Sequence, residues 1–175
     1  NVLIKGQVAC ELNSCDELVV TEMIFENFFT SLSPEECVSI ISCLICKHKD
    51  EDEPKIPDNL ERAKGELIHL VDTLSTAQFA AGLDSLSLEY QRILKFGMME
   101  VAYSWATGVP FNEICKITMI QEGNIVRYIT QIAHACRDIR NAARIIGDSQ
   151  LYEKMEACTI LVKRDVIFAA SLYTV

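Results

Sequence analysis

The sequence predicts an all-α domain, a multi-helix bundle, on three observations. Helix-start chemistry recurs: Ser33-Pro34-Glu35-Glu36 combines an N-cap serine, a first-turn proline and a capping-box glutamate. Helix stops recur too, with Gly82, Gly108 and Gly147 each following an apolar run. Between starts and stops the apolar residues return every three or four positions, the period of a helix buried along one side.

Taken in order, only the first dozen residues depart from this. Asn1-Val2-Leu3-Ile4-Lys5-Gly6 reads as extended, and residues 1–16 as a lead-in from a preceding domain. Leu18, Val19, Met23, Ile24, Phe25 and Phe28 fit a first helix, and the Ser33 signal opens a second through Val38, Ile41, Leu44 and Ile45. Residues 47–58 are charged, contain Pro54 and Pro57, and read as a surface loop. A long helix is expected from Asp58 to Ala81, with Gly82 as its left-handed stop. Ser87 starts the next, through Ile93, Met98, Val101 and Trp105, and Pro110 opens a short one over Phe111 to Cys115. Thr118-Met119-Ile120-Gln121 is a second capping-box pattern, starting the longest helix, which stops at Ile146 before Gly147. Asp148 caps a last helix through Leu151, Met155, Cys158 and Leu161. The apolar stretch Val166–Tyr173 is expected to pack back on the bundle, and Trp105, Phe111, Ile129, Cys136 and Phe168 to share its core.

A chain of 175 residues, half of them hydrophobic, has enough apolar material for one core. No apolar run reaches the ~18 residues needed to cross a bilayer, so no membrane partner is expected. The N-terminus lacks a signal-peptide layout and reads as internal to a longer protein. The eight cysteines fall mostly at apolar helix positions, as reduced thiols do. Cys43, Cys46 and His48 have permissive metal-ligand spacing, but nothing completes a set of four, so no metal is expected. Phosphate-cradling and dinucleotide motifs are absent, as is any nucleophile context. No catalytic residue and no cofactor of this chain's own is expected.

Charge is distributed unevenly. Four of the seven arginines, Arg127, Arg137, Arg140 and Arg144, lie within eighteen residues of the longest helix. That stretch sums to +3 in a chain of −9. An acidic total disfavours a free-standing duplex binder, although the short helix, turn and long helix around Ile117–Ile120 resemble a helix-turn-helix in spacing. It permits a narrow contact with a single strand. With Ile129 at the centre of the buried face, Arg127, Gln131, His134, Asp138 and Asn141 fall on the opposite side. Such a line is either a solvated stripe or a set of side chains that stack on bases and bond their edges. Arg127, Gln131 and His134 are the candidate residues for contact with such a strand. Arg137, Arg140 and Arg144 fall toward the core side or its margin, where pairing with acids of neighbouring helices is expected.

Several segments together resemble one family. They include Gly6-Gln7-Val8-Ala9-Cys10-Glu11, Leu32-Ser33-Pro34-Glu35-Glu36, and Tyr103-x-Trp105-Ala106-x-Gly108. The most specific are Glu122-Gly123-x-Ile125-Val126-Arg127 and the closing Lys163-Arg164-Asp165-Val166-Ile167-Phe168-Ala169-Ala170-Ser171-Leu172-Tyr173. The chain is similar throughout to the C-terminal helical (DSHCT) domain of superkiller-type, exosome-associated DExH RNA helicases.

That resemblance implies a setting that the residues alone do not. Two motor domains, a winged helix and this bundle surround a channel, and a ratchet helix faces the single-stranded RNA as it is drawn through 3′ to 5′ toward the RNA exosome. The helix beginning at Glu122 matches that element, and Arg127 matches a family arginine on it. Gln131 departs from the pattern, standing where family members commonly carry a second arginine. ATP and Mg would belong to the motor domains of the parent helicase, so this chain alone is not expected to hydrolyse ATP. The superkiller complex and a cytoplasmic location are implied more strongly than the nuclear alternative. The competing reading is a scaffold that braces the motor domains or docks complex subunits without touching RNA.

Overall fold

A computed structural model describes residues 3–48, 53–83 and 92–164. Among these residues there are eight α-helices and no strand. They are α1 (Ile4–Glu11), α2 (Glu17–Phe25), α3 (Pro34–Ile45), α4 (Asp58–Ala80), α5 (Met99–Ala106), α6 (Phe111–Ile114), α7 (Glu122–Ile146) and α8 (Ser149–Val162). The all-α prediction therefore holds. The tail Val166–Tyr173, with Phe168, lies outside the described residues.

The extended reading of the N-terminus is corrected, since Ile4–Glu11 is helical. Val8 is fully buried and Leu12 nearly so, four residues apart on one face, and Lys5 Nζ meets Glu22 of α2 at 2.8 Å. The sequence reads there as extended, but packing of α1 on α2 and α7 selects the helix. Local chemistry ends α2 early. Asn27 adopts φ 55°, and the Phe28 N–H donates to the Met23 carbonyl at 3.0 Å, so the expected continuation to Phe28 turns away.

The capping box at Ser33 forms in full, with Ser33 Oγ accepting from the Glu36 N–H and Glu36 accepting from the Ser33 N–H. By contrast, the helix expected to run unbroken from Ser87 to Trp105 is not one. Residues 84–91 lie outside the described set, and α5 begins only at Met99. The Lys95 N–H instead donates across to the Cys43 carbonyl at 3.0 Å, satisfying the exposed end of α3 rather than continuing a helix.

The pattern at Thr118 also differs from expectation. Thr118 Oγ1 accepts from the Ile120 N–H, and α7 starts at Glu122 behind Gln121, which provides no side-chain cap. Its other end stops as expected. Gly147 takes φ 75°, a conformation that would strain a side chain, and the Asp148 N–H reaches back to the Ala143 carbonyl. Asp148 then caps α8 through the Leu151 N–H at 2.9 Å.

The core is one cluster with α7 at its centre. This helix packs along α8 most extensively and also on α1 and α3, while α3 lies across α5. Trp105, Ile129 and Cys136 are buried in this core, and Phe111 packs half-buried on its margin with its ring edge-on to Trp105.

The eight cysteines all lie among the described residues, and none is joined in a disulfide. Burial, helped by the charge of Asp138, pushes the Cys15 thiol up to about 12. A hydrogen bond with Cys158, together with burial, holds Cys37 well above the ordinary thiol range. Cys158 is raised as well, first by its hydrogen bond with Cys136. These groups favour folding while neutral, so their contribution is complete below the unfolded thiol value of 9.0 and is lost as pH climbs through the folded values. Denaturation midpoints are expected to fall between about pH 9 and pH 12, where unfolded thiols ionise and folded ones do not. Equal midpoints at both ends of that window would contradict the assignment.

Candidate nucleic-acid interface

The 25 residues of α7 span roughly 37 Å at 1.5 Å per residue. Arg127, Gln131 and His134 are all exposed, four and then three residues apart, so the three predicted residues share one solvent-facing side. Their backbone is held from behind by Ile125, Tyr128, Ile129 and Ile132, all buried.

Tyr128 is the anchor nearest Arg127. Its hydroxyl accepts from the Lys47 N–H at 3.3 Å and meets His48 Nδ1 at 2.8 Å, with the two rings edge to face. The Arg127 guanidinium stands 5.9 Å from the Tyr128 ring centre. No carboxylate among the described residues forms an ion pair with Arg127. A guanidinium presented this way keeps its planar donor fork and its face available to a ligand.

Asp138 does not continue the candidate line beyond His134. Asp138, which periodicity placed on the same face, is buried at 7% exposure. Its Oδ2 accepts from the Asn13 N–H at 3.1 Å, the Ser14 N–H at 3.1 Å and Ser14 Oγ at 2.6 Å. The turn between α1 and α2 thus covers this part of α7. Ala135 and Ala142, about a turn on either side of Asp138, are fully buried and small enough to admit it.

That third covered side also corrects the arginines. The buried arc is centred near Ile132, about 60° from Ile129 at 100° per residue. Arg137 and Arg144 are therefore exposed, against the expectation that they pair with neighbouring acids. Among the described residues only Arg140 does so, with Glu156 of α8, its guanidinium 5.7 Å from the Tyr152 ring centre. Arg137 sits one turn beyond His134 and extends the exposed polar line, a residue that sequence reasoning missed. The available signal was the pair Ala135 and Ala142, whose helical spacing marks a close approach from the side assumed to be open.

The cysteines near the end of α3 face inward. Cys43 Sγ points to the Ser39 carbonyl at 3.7 Å, and the His48 ring is turned to Tyr128. Among the described residues no group of His, Cys, Asp and Glu is placed to hold a metal ion. Nor is any described helix long and apolar enough to cross a membrane.

The model of the DSHCT (NUC185) domain matches residues 1–169. The chain is 46% identical over 173 residues to the DExH-box ATP-dependent RNA helicase DExH11 of Arabidopsis thaliana, covering 98% of this chain and 13% of that protein. It is 38% identical over 173 residues to the human superkiller complex protein 2, covering 99% of the chain and 14% of that protein. To the human exosome RNA helicase MTR4 it is 35% identical over 169 residues, covering 97% and 16%. The chain thus spans about a seventh of the length of these relatives, and its identity to the superkiller protein is higher than to MTR4.

Proposed function

The chain belongs to the DSHCT domain family, and we propose that it forms one wall of the RNA channel of an ATP-dependent 3′–5′ RNA helicase. In this reading α7 is the ratchet helix, and Arg127, Gln131 and His134 meet successive nucleotides of a single strand. The observation that carries the proposal is Arg127: exposed, unpaired by any described acid, and backed by a rigid buried anchor in an otherwise acidic domain. Arg127 contributes most, since it combines charge, a planar fork and a π face. Gln131 retains edge bonding without charge, so its contact is weaker than an arginine would make.

The likeness to helicases named for the superkiller complex and for the exosome supports a parent protein that delivers RNA to the exosome in mRNA decay. Its partners would be superkiller complex subunits, the exosome, and its own motor and winged-helix domains. ATP and Mg would bind the motor domains, and the higher identity to the superkiller protein favours the cytoplasm. The scaffold reading applies to the second half of α7, where Asp138 and Arg140 are committed to contacts within this chain.

The test is Arg127→Ala in the full-length protein. A stacking or base-edge contact is worth ~1–3 kcal/mol, so single-stranded RNA binding is expected to weaken about 5- to 150-fold and unwinding to slow. The melting temperature should not move, because Arg127 is exposed. Wild-type RNA affinity and unwinding rate in this variant would overturn the assignment.

A further inference from the structure

Beside α7 lies a groove whose charge runs against that of the domain. It is formed at the C-terminal end of α3, the segment around residues 92–95 and the start of α2, and its lining brings Lys47, Arg92 and Lys95 together. None of the three forms an ion pair with a carboxylate among the described residues. Among the described residues the one acid of the lining is Asp16, whose Oδ1 already accepts from the Val19 N–H as the cap of α2. Three cations to one engaged carboxylate, in a chain of net charge −9, is a local reversal of sign.

The groove is tied to α7 at two places. The Lys47 N–H donates to the hydroxyl of Tyr128, the residue next to Arg127. The turn leading into Asp16 is held by Asp138. The groove is thus joined to α7 next to Arg127, through Tyr128, and beyond His134, through Asp138. Among the described residues no aromatic side chain lines the groove, so these residues offer nothing on which a base can stack. Ammonium and guanidinium groups without a stacking platform suit phosphate oxygens.

We propose that Lys47, Arg92 and Lys95 form a phosphate-binding groove for the backbone of single-stranded RNA whose bases are met by Arg127, Gln131 and His134. This rests on the channel reading given above and assigns it a second contact of different chemistry. Base contacts read the strand with little dependence on salt, whereas phosphate contacts position it, release counterions and depend on salt steeply.

The experiment is the triple substitution Lys47→Gln, Arg92→Gln, Lys95→Gln in the full-length protein, with binding of a single-stranded RNA oligonucleotide measured across salt concentrations. Each phosphate contact with a single strand contributes about 0.7 to the slope of log affinity against log salt. The slope is expected to fall by about 2, with affinity weakened tenfold or more at low salt and an unchanged melting temperature. An unchanged slope overturns the proposal. An unchanged slope with a lowered melting temperature also overturns it, and assigns the cations to the carbonyl end of α3 instead. Arg127→Ala, measured in parallel, separates the two readings. If it weakens binding while the triple variant keeps the wild-type slope, only the groove fails. If neither variant alters RNA binding, the channel reading fails with it.

Discussion

Trp105→Ala is expected to lower the stability of the domain by about 3–5 kcal/mol, the cost of removing a large buried aromatic side chain. Trp105 is 1% exposed and joins three elements. Its indole N–H donates to the Val162 carbonyl at 3.0 Å, satisfying a carbonyl that the end of α8 leaves without a helical partner. Its ring lies edge-on to Phe111 of α6, and the Arg164 guanidinium sits 4.0 Å from the ring centre. Arg164 in turn donates to the Val109 carbonyl at 2.6 Å, beyond α5. One side chain thus ties α5, α6 and the exit from α8, and truncation leaves a cavity, an unpaired carbonyl and a displaced guanidinium. Trp105→Phe separates these effects. It retains much of the ring packing but loses the indole donor, so a smaller loss of about 1–3 kcal/mol is expected. Denaturant unfolding at neutral pH measures both. A Trp105→Ala midpoint equal to wild type would show that the end of α8 is held by other contacts.

Asp138→Ala is expected to cost about 2–4 kcal/mol, with an effect concentrated at the turn between α1 and α2. Hydrogen bonds to a charged acceptor are worth ~1.5–3 kcal/mol each, and three that share one oxygen are not additive. Removing the carboxylate leaves the Asn13 and Ser14 N–H groups facing an apolar helix without an acceptor. Amide exchange at Asn13 and Ser14 should accelerate, and proteases should cut near residues 12–16 before the rest of the domain opens. The contacts that hold α7 to α8 should remain protected, since they do not involve Asp138. Unchanged exchange at Asn13 and Ser14 would rule out the carboxylate as the fastener of this turn.

These two residues also mark how far a sequence can be read. The role of Trp105 in the core was legible, because apolar residues at helical spacing in the same segment declare a buried face. Asp138 was not, because its periodicity matched that of Arg127, Gln131 and His134, and apart from the small residues Ala135 and Ala142 beside it nothing local distinguishes an acid facing water from one covered by a turn 124 residues earlier. The error over Arg137 and Arg144 has the same origin. A helix packed on two sides and a helix packed on three share an apolar stripe, and they differ in which polar residues remain in water.

The boundaries separate along the same line. The Ser33 capping box, the Gly147 stop and the Asp148 cap were read correctly because each is closed by groups within a few residues of one another. The start of α5 was misread because the Lys95 N–H finds its acceptor on α3, and the helical form of α1 because its face is buried by α2 and α7. The sequence by itself determined the all-α class, most helix ends, the family likeness and the placement of Arg127, Gln131 and His134 on one helix face. Tertiary structure decided where that face ends, which arginines stay exposed, and the gathering of Lys47, Arg92 and Lys95 into one groove. The physical reason is range: caps and helical periodicity act across one to two turns, whereas burial and long-range charge are set by segments that meet only when the chain is folded.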